Sequence, residues 1–290
     1  MKILMTGATG FLGSNLLHRL VEDGHDVTIL IRHTSRLSRI SSILDRVTVQ
    51  QVGINQDLFC PNAIETIIHC ATNYGRGNVD FVELLESNLL LPLQLLQFGH
   101  RAGVRCFINT DTILDKGVNE YTLSKSQFRD WFGNYAKKMV CVNVALEHFY
   151  GPLDDPTKFV SFVVNQLLDN VDSISLTPGE QKRDFIYIDD VVEAFLLILK
   201  NSATMKTGYL DYEIGTGHTV SIREFVEQIK KLAGNTHTRL DFGALPYREN
   251  EAMETAVDVA GIRALGWSPT ISLSDGLSKM IAMEREAKLK

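Results

Sequence analysis

The feature that most constrains this chain is a glycine-rich turn close to its start. A short apolar run, Lys2-Ile3-Leu4-Met5-Thr6, leads directly into Gly7-Ala8-Thr9-Gly10-Phe11-Leu12-Gly13, and helical periodicity follows over 11–22. Strand, Gly-x-x-Gly-x-x-Gly turn and helix in that order read as a dinucleotide-binding unit. One glycine permits the tight turn, one lets the backbone approach a pyrophosphate, and one lets helix and strand pack closely, while the N–H groups of Phe11, Leu12 and Gly13 open the helix toward phosphate oxygens. The spacing differs from the Gly-x-Gly-x-x-Gly of many dehydrogenases. The competing reading is a glycine-rich turn that binds nothing, and the strand-turn-helix context argues against it.

Later segments extend the same pattern. DVTILI, VTVQQV, TIIHCA and CFINT are strand-like, helices are expected over 11–22 and 81–100, and further strands at 140–144 and 209–214 flank a helix at 191–199. The alternation predicts an α/β fold with a Rossmann-type, doubly wound parallel sheet. From about Pro152 the periodicity is less regular, with breaks at Pro178-Gly179-Glu180 and Pro246-Tyr247-Arg248. The expected division is therefore a dinucleotide-binding domain over 1–152, to which later segments return, and a smaller interleaved α/β domain over 153–290, mainly for substrate. Asp189 and Asp190 head an apolar helical segment and read as N-terminal caps.

Composition removes several function classes. Of 290 residues, 35 are acidic and 29 basic, giving a net charge of -6 and no basic footprint for nucleic acid. No apolar run approaches the roughly 20 residues of a membrane span, and the start lacks the pattern of a signal peptide. Cys60, Cys70, Cys106 and Cys141 form no Cys-x-x-Cys pair, so a reduced, cytoplasmic setting is expected. No metal site is expected.

Cofactor type is read at the end of the second strand. An NAD enzyme presents a carboxylate there to the adenosine ribose; this chain has Ile31-Arg32, with Ser35 and Arg36 in the following loop. Guanidinium groups suit a 2′-phosphate, which favours NADP(H) over NAD(H), against the alternative of an ordinary solvated basic loop. Further on, Tyr121-Thr122-Leu123-Ser124-Lys125 opens an amphipathic helix. The spacing of four sets Tyr121 and Lys125 on one face. An ammonium beside a phenol is expected to lower its pKa and suit it to proton transfer with a carbonyl or alcohol.

With these motifs in view, the chain resembles the extended short-chain dehydrogenase/reductases of the NAD-dependent epimerase/dehydratase superfamily, which act on nucleotide-sugars. The segments that carry the resemblance are TGATGFLG, IIHCAT, INTDT, YTLSK, HFYGP, RDFIYIDDVVEAF, YREN and ALGWSP. The resemblance implies that Thr110 hydrogen-bonds the reacting sugar oxygen, that Tyr121 is the acid/base, that Lys125 binds the nicotinamide ribose, and that Cys70 and Ala71 line the cofactor. Thr110-Asp111-Thr112 lacks the glutamate that 4,6-dehydratases carry at its third position, while Asp111 is expected to face substrate.

The longer stretches HCATNYG, LEHFYGP, TPGEQKRDFIYIDDVV and DFGALPYRENEAM are similar to the CDP-abequose and CDP-paratose synthase group, 4-ketoreductases that finish 3,6-dideoxyhexoses for bacterial O-antigens. That likeness implies an NADPH-dependent 4-ketoreductase of a CDP- or dTDP-linked 4-keto-6-deoxy or 4-keto-3,6-dideoxyhexose. His148, Arg183 and Arg248 are its candidate diphosphate ligands; a packed histidine and two surface arginines are the alternatives. Only eleven positions separate Thr110 from Tyr121, so the loop that often touches the sugar in extended members is abbreviated. The leucine-rich segment over 81–100 is apolar on more than one face, and the resemblance implies a homodimer through it and the tyrosine helix. The alternative functions are an NAD-dependent nucleotide-sugar 4-epimerase and an inactive cofactor-binding regulator.

Overall fold

The computed structural model describes residues 1–52, 60, 63–77, 80–146, 148–248 and 251–289. Glu147, within LEHFYGP, and Glu249 and Asn250, which end YREN, lie outside the described residues. The chain forms two compact units, one of residues 1–146 and 192–213, the other of residues 147–191 and 214–290. The sequence had set the division at 152/153; the chain first leaves the first unit after Leu146.

The first unit begins with β1 (Lys2–Thr6), α1 (Phe11–Glu22), β2 (Asp26–Ile31), β3 (Thr48–Gln51) and β4 (Thr66–His69). It continues through α2 (Phe81–Leu85), a π-helical turn (Glu86–Leu90), α3 (Leu91–Ala102), β5 (Cys106–Thr112), α4 (Glu120–Tyr135) and β6 (Val140–Leu146). In the second unit follow β7 (His148–Tyr150), α5 (Phe159–Leu168), β8 (Ser173–Leu176), β9 (Lys182–Arg183) and β10 (Phe185–Tyr187). Helix α6 (Ile188–Ser202) carries the chain back into the first unit, where it forms β11 (Gly208–Ile214). The remaining elements are β12 (Val220–Ser221), α7 (Ile222–Leu232), β13 (Arg239–Phe242), α8 (Ala260–Ala264) and α9 (Leu273–Lys288). No helix of the described residues is long and apolar enough to cross a membrane.

The expected doubly wound sheet is present: seven strands in the order β11-β6-β5-β4-β1-β2-β3, with β1 to β6 all paired in parallel. Strand order reverses between β1 and β4. Open α/β sheets bind ligands outside the carboxyl ends of the strands at such a reversal, and the register Thr6↔His69 and His69↔Asn109 brings the ends of β1, β4 and β5 to one edge. Beneath that edge Phe107, Phe128 and Phe132 pack with Leu95 and Leu96, all fully buried, each worth about 1.5–3 kcal/mol. This core seats α4 on the sheet.

The segment expected as one helix over 81–100 is interrupted. Pro92 in the first turn of α3 has no N–H for the carbonyl four residues back, and the turn over Glu86–Leu90 widens to π geometry. Asn88, within it, is fully buried.

The second unit is built from two-stranded pieces: β7 with β10 and β8 with β13 in parallel, β9 with β12 antiparallel. A capping box between Ser221 and Glu224 starts α7, and Phe225 from that helix stacks on Phe185 at 3.6 Å. Asp190 corrects the expectation of a cap. Its buried carboxylate accepts from Thr270 N and Oγ1 at 2.9 Å and from Ile271 N at 3.0 Å, so it ties a distant segment to α6 instead of satisfying its own helix.

Candidate active site

Two glycines of the turn are required by space. A Cβ on Gly7, whose φ is +71°, would lie 2.4 Å from Ala71 N, and one on Gly13 would lie 2.0 Å from Gly7 O. Backbone on both sides of these contacts cannot yield. Phe11 and Leu12 are buried in the first turn of α1, which has no side-chain cap at Gly10 and no acidic residue. Its N–H groups and positive dipole end therefore suit an anion. At the end of β2, Arg32 and Arg36 are exposed and Ser35 Oγ accepts the Arg32 N–H at 3.1 Å. Parallel pairing of Thr6 with Leu30 brings this loop and the glycine turn to the same sheet edge.

At the end of β4, Thr6 Oγ1 lies 2.7 Å from His69 Nδ1 and accepts the Ala71 N–H at 3.3 Å. Burial, and then the charge of Lys125, hold the His69 imidazole well below its ordinary pKa, so it is neutral. Cys70 is a thiol: burial pushes it up to about 12. Thr110 Oγ1 donates to the His69 carbonyl at 2.9 Å, which fixes the hydroxyl at the junction of β4 and β5.

Helix α4 starts from a reciprocal capping box between Asn119 and Thr122, so Tyr121 and Lys125 fall in its first two turns. Lys125 is 2% exposed and its Nζ has no hydrogen-bond partner among the described residues. Burial lowers its pKa, while Asp111 and Cys70 favour the charged form. An ammonium buried without an acceptor is costly. Ribose hydroxyls would supply the missing acceptors, and with the close glycine cradle and the uncapped helix this edge fits a dinucleotide.

The expectation that Lys125 lowers the pKa of Tyr121 is not met. Burial dominates and raises it well above the phenol value; Tyr74 and Asp111 add to the rise, and a hydrogen bond with Thr112 and the charge of Arg76 oppose it. Tyr121 is thus a neutral phenol, the form that donates a proton. The Tyr74 ring stands 5.3 Å from the Tyr121 ring, with the Arg76 guanidinium 5.3 Å above Tyr74.

Asp111 departs from its expected place at the substrate. Its side chain is wholly buried and is held by Arg129, Asn143 and the Thr112 N–H. Sequence reasoning also missed Asn88. Its amide exchanges two 2.8 Å bonds with the backbone of Asn73 and donates to Ser124 Oγ at 3.0 Å, which in turn donates to the Tyr121 carbonyl. The loop bearing Tyr74 is thereby clamped to α4. A lone asparagine in a leucine-rich run was the available signal.

The first unit thus gathers Gly7, Gly10, Phe11, Leu12, Gly13, Arg32, Ser35, Arg36, Cys70, Ala71, Thr110, Tyr121 and Lys125. The other three candidates belong to the second. His148 is half-buried, edge-on to Phe185 at 5.6 Å. Arg183 is buried, ion-paired with Glu251, and donates to the Lys182 carbonyl at 2.8 Å. Arg248 is exposed.

The sequence profile of the NAD dependent epimerase/dehydratase family matches residues 3–215. A CDP-abequose synthase from Salmonella muenchen is 36% identical over 296 residues, spanning 98% of each chain. A dTDP-D-glucose 4,6-dehydratase from Bos taurus is 26% identical over 319 residues, 98% of this chain and 89% of that one. Among solved structures, the UDP-glucose 4-epimerase of Thermotoga maritima with UDP-glucose superposes with a TM-score of 0.85 at 22% identity, over 99% of this chain and 100% of that one. That last likeness is one of fold.

Proposed function

Because the chain belongs to the NAD dependent epimerase/dehydratase family, we propose that it is an NADPH-dependent 4-ketoreductase. Its substrate is a CDP- or dTDP-linked 4-keto-6-deoxy or 4-keto-3,6-dideoxyhexose, in the manner of CDP-abequose synthase and for O-antigen sugars. One observation carries the reading: the acid beside the end of β5 is the Tyr121 phenol of α4, its pKa raised by burial, while the nearby carboxylate of Asp111 is buried in bonds of its own. Removal of water from a sugar needs carboxyl groups aimed at it; reduction of a ketone needs a proton donor.

When bound, a reduced nicotinamide would supply the hydride for C4 of the sugar. Tyr121 gives its phenolic proton to the sugar O4, so the ketone becomes an alcohol and the tyrosine is reprotonated from solvent. Thr112 steadies the phenol through its hydrogen bond. Thr110 polarises the carbonyl when its hydroxyl turns from the His69 carbonyl toward O4. Lys125 binds ribose hydroxyls, and Tyr121 supplies the roughly 10²–10⁴ in rate that a positioned acid contributes. Arg32, Ser35 and Arg36 take the 2′-phosphate. Arg248 and His148 are assigned to the diphosphate. Arg183 joins them only by sharing its guanidinium with Glu251. The exposed Phe81, Val82, Leu85 and Leu90, with Leu123 and Trp131 on α4, favour a homodimer, which sedimentation measures.

The deciding experiment incubates the protein with NADPH and a panel of CDP- and dTDP-4-keto sugars, with NMR of the products. Oxidation of NADPH in step with a new C4 alcohol is expected. Interconversion of C4 epimers with no net NADPH consumption would establish the 4-epimerase instead, and no turnover of any sugar would favour a cofactor-binding regulator.

A further inference from the structure

Asp111 and Arg129 are joined and flanked by several polar contacts in the first unit. Asp111 Oδ2 accepts Arg129 Nε at 2.6 Å and Asn143 Nδ2 at 3.0 Å, and Oδ1 accepts the Thr112 N–H at 2.8 Å. The same guanidinium sends Nη2 to the Thr112 carbonyl at 3.1 Å. Asn143 is itself held by Asn109 at 2.8 Å and reaches Asp211 at 3.0 Å, so the carboxylate is fixed from the sheet side. Arg129 follows Lys125 by four residues, as Lys125 follows Tyr121, and such spacing keeps all three on one side of α4. The helix that carries the acid is therefore gripped, by a two-pronged fork, at the strand residues that flank the Tyr121 hydroxyl.

We propose that Arg129 is a positioning residue for the reaction, with Asp111 as its anchor. By holding the Asp111 carboxylate and the Thr112 carbonyl together, it sets the rotation and depth of α4, and through Thr112 it fixes the line of the Tyr121 phenol toward the reacting oxygen. The inference rests on the ketoreductase reading and changes the part of Asp111, which serves the helix rather than the sugar. A lysine at 129 would keep the charge and lose the fork, so it separates geometry from electrostatics.

The test compares Arg129→Ala, Arg129→Lys, Asp111→Asn and the double variant Asp111→Asn/Arg129→Ala with wild type. Steady-state kinetics on the keto-sugar, NADPH titration and amide hydrogen exchange along α4 are the readouts. Misplacement of a reacting group by about 1 Å costs on the order of 10² in rate. Arg129→Ala is accordingly expected to lose roughly that factor in kcat, with sugar KM and NADPH affinity little changed, and amide exchange in the first turns of α4 should rise. Arg129→Lys should lie between wild type and Arg129→Ala, and the double variant should be no worse than the worse single. If Arg129→Ala does not fold, Arg129→Lys decides: wild-type kcat in that variant overturns the proposal. So does a lowered melting temperature with kcat unchanged, or loss of turnover in Asp111→Asn while Arg129→Ala stays fully active. Should the wild type reduce no keto-sugar, the ketoreductase reading fails separately, and unchanged amide exchange in Arg129→Ala would then overturn the positioning role by itself.

Discussion

Lys125 in the first unit is buried with its ammonium unbonded to any described residue, whereas the buried charges of the second unit are closed by partners of their own. Arg183 meets Glu251, Asp184 accepts from Thr216 and Gly217, and Asp190 accepts from Thr270 and Ile271. Both sets sit in motifs that mark the family, YTLSK in one and RDFIYIDDVV in the other. The difference teaches that a shared motif can mark either chemistry or architecture, and that counting hydrogen bonds separates the two. A buried charge with spare donors is shaped for something that arrives. One whose bonds are all made holds the chain together.

The contrast can be broken most sharply at Tyr121. Tyr121→Phe removes the donated proton and is expected to lower turnover by roughly 10²–10⁴ with the melting temperature unchanged; near-normal turnover of the folded variant would remove the tyrosine from the chemistry. In the second unit the expected pattern is opposite. Asp190→Ala deletes three accepted bonds and leaves buried donors behind, so a loss of about 2–4 kcal/mol in stability is expected, read by urea unfolding, while the residual folded enzyme keeps its kcat.

Lys125→Met sharpens the comparison further. Replacing an unpaired buried ammonium by an apolar chain of similar length should raise the stability of the cofactor-free protein by about 1 kcal/mol or more, while weakening NADPH binding. A variant that is less stable without cofactor would mean that the ammonium is satisfied within the protein. The smallest effect is expected at the exposed Arg32. Arg32→Ala should weaken NADPH binding by about tenfold, the size of one charge-assisted bond discounted for solvent, and leave NADH binding unchanged. Equal losses for both cofactors would remove its assignment to the 2′-phosphate.

Much of the first unit could be read from sequence because its information is local. The strand-turn-helix of residues 2–22 and the Tyr121/Lys125 spacing depend on periodicity and glycine alone, and both are where expected. What could not be read depends on elements meeting. The sign of the Tyr121 shift follows from burial and from Tyr74 and Asp111, which arrive from other segments. The π turn needs Asn88 bound to Asn73 and Ser124 as well as Pro92. Asp190 looks like a cap until Thr270 and Ile271 are seen to take its oxygens. Arg129 is one more helix arginine until β5 brings Asp111 to it.

The most direct test of the central claim follows the hydride itself. NADPH deuterated at the transferable C4 position of nicotinamide is incubated with the protein and a CDP-linked 4-keto-3,6-dideoxyhexose, and the released sugar is examined by NMR and mass spectrometry. The account predicts one deuterium at sugar C4 for each NADPH oxidised, and loss of that transfer in Tyr121→Phe. A released sugar free of deuterium, formed while NADPH stays intact, would contradict it.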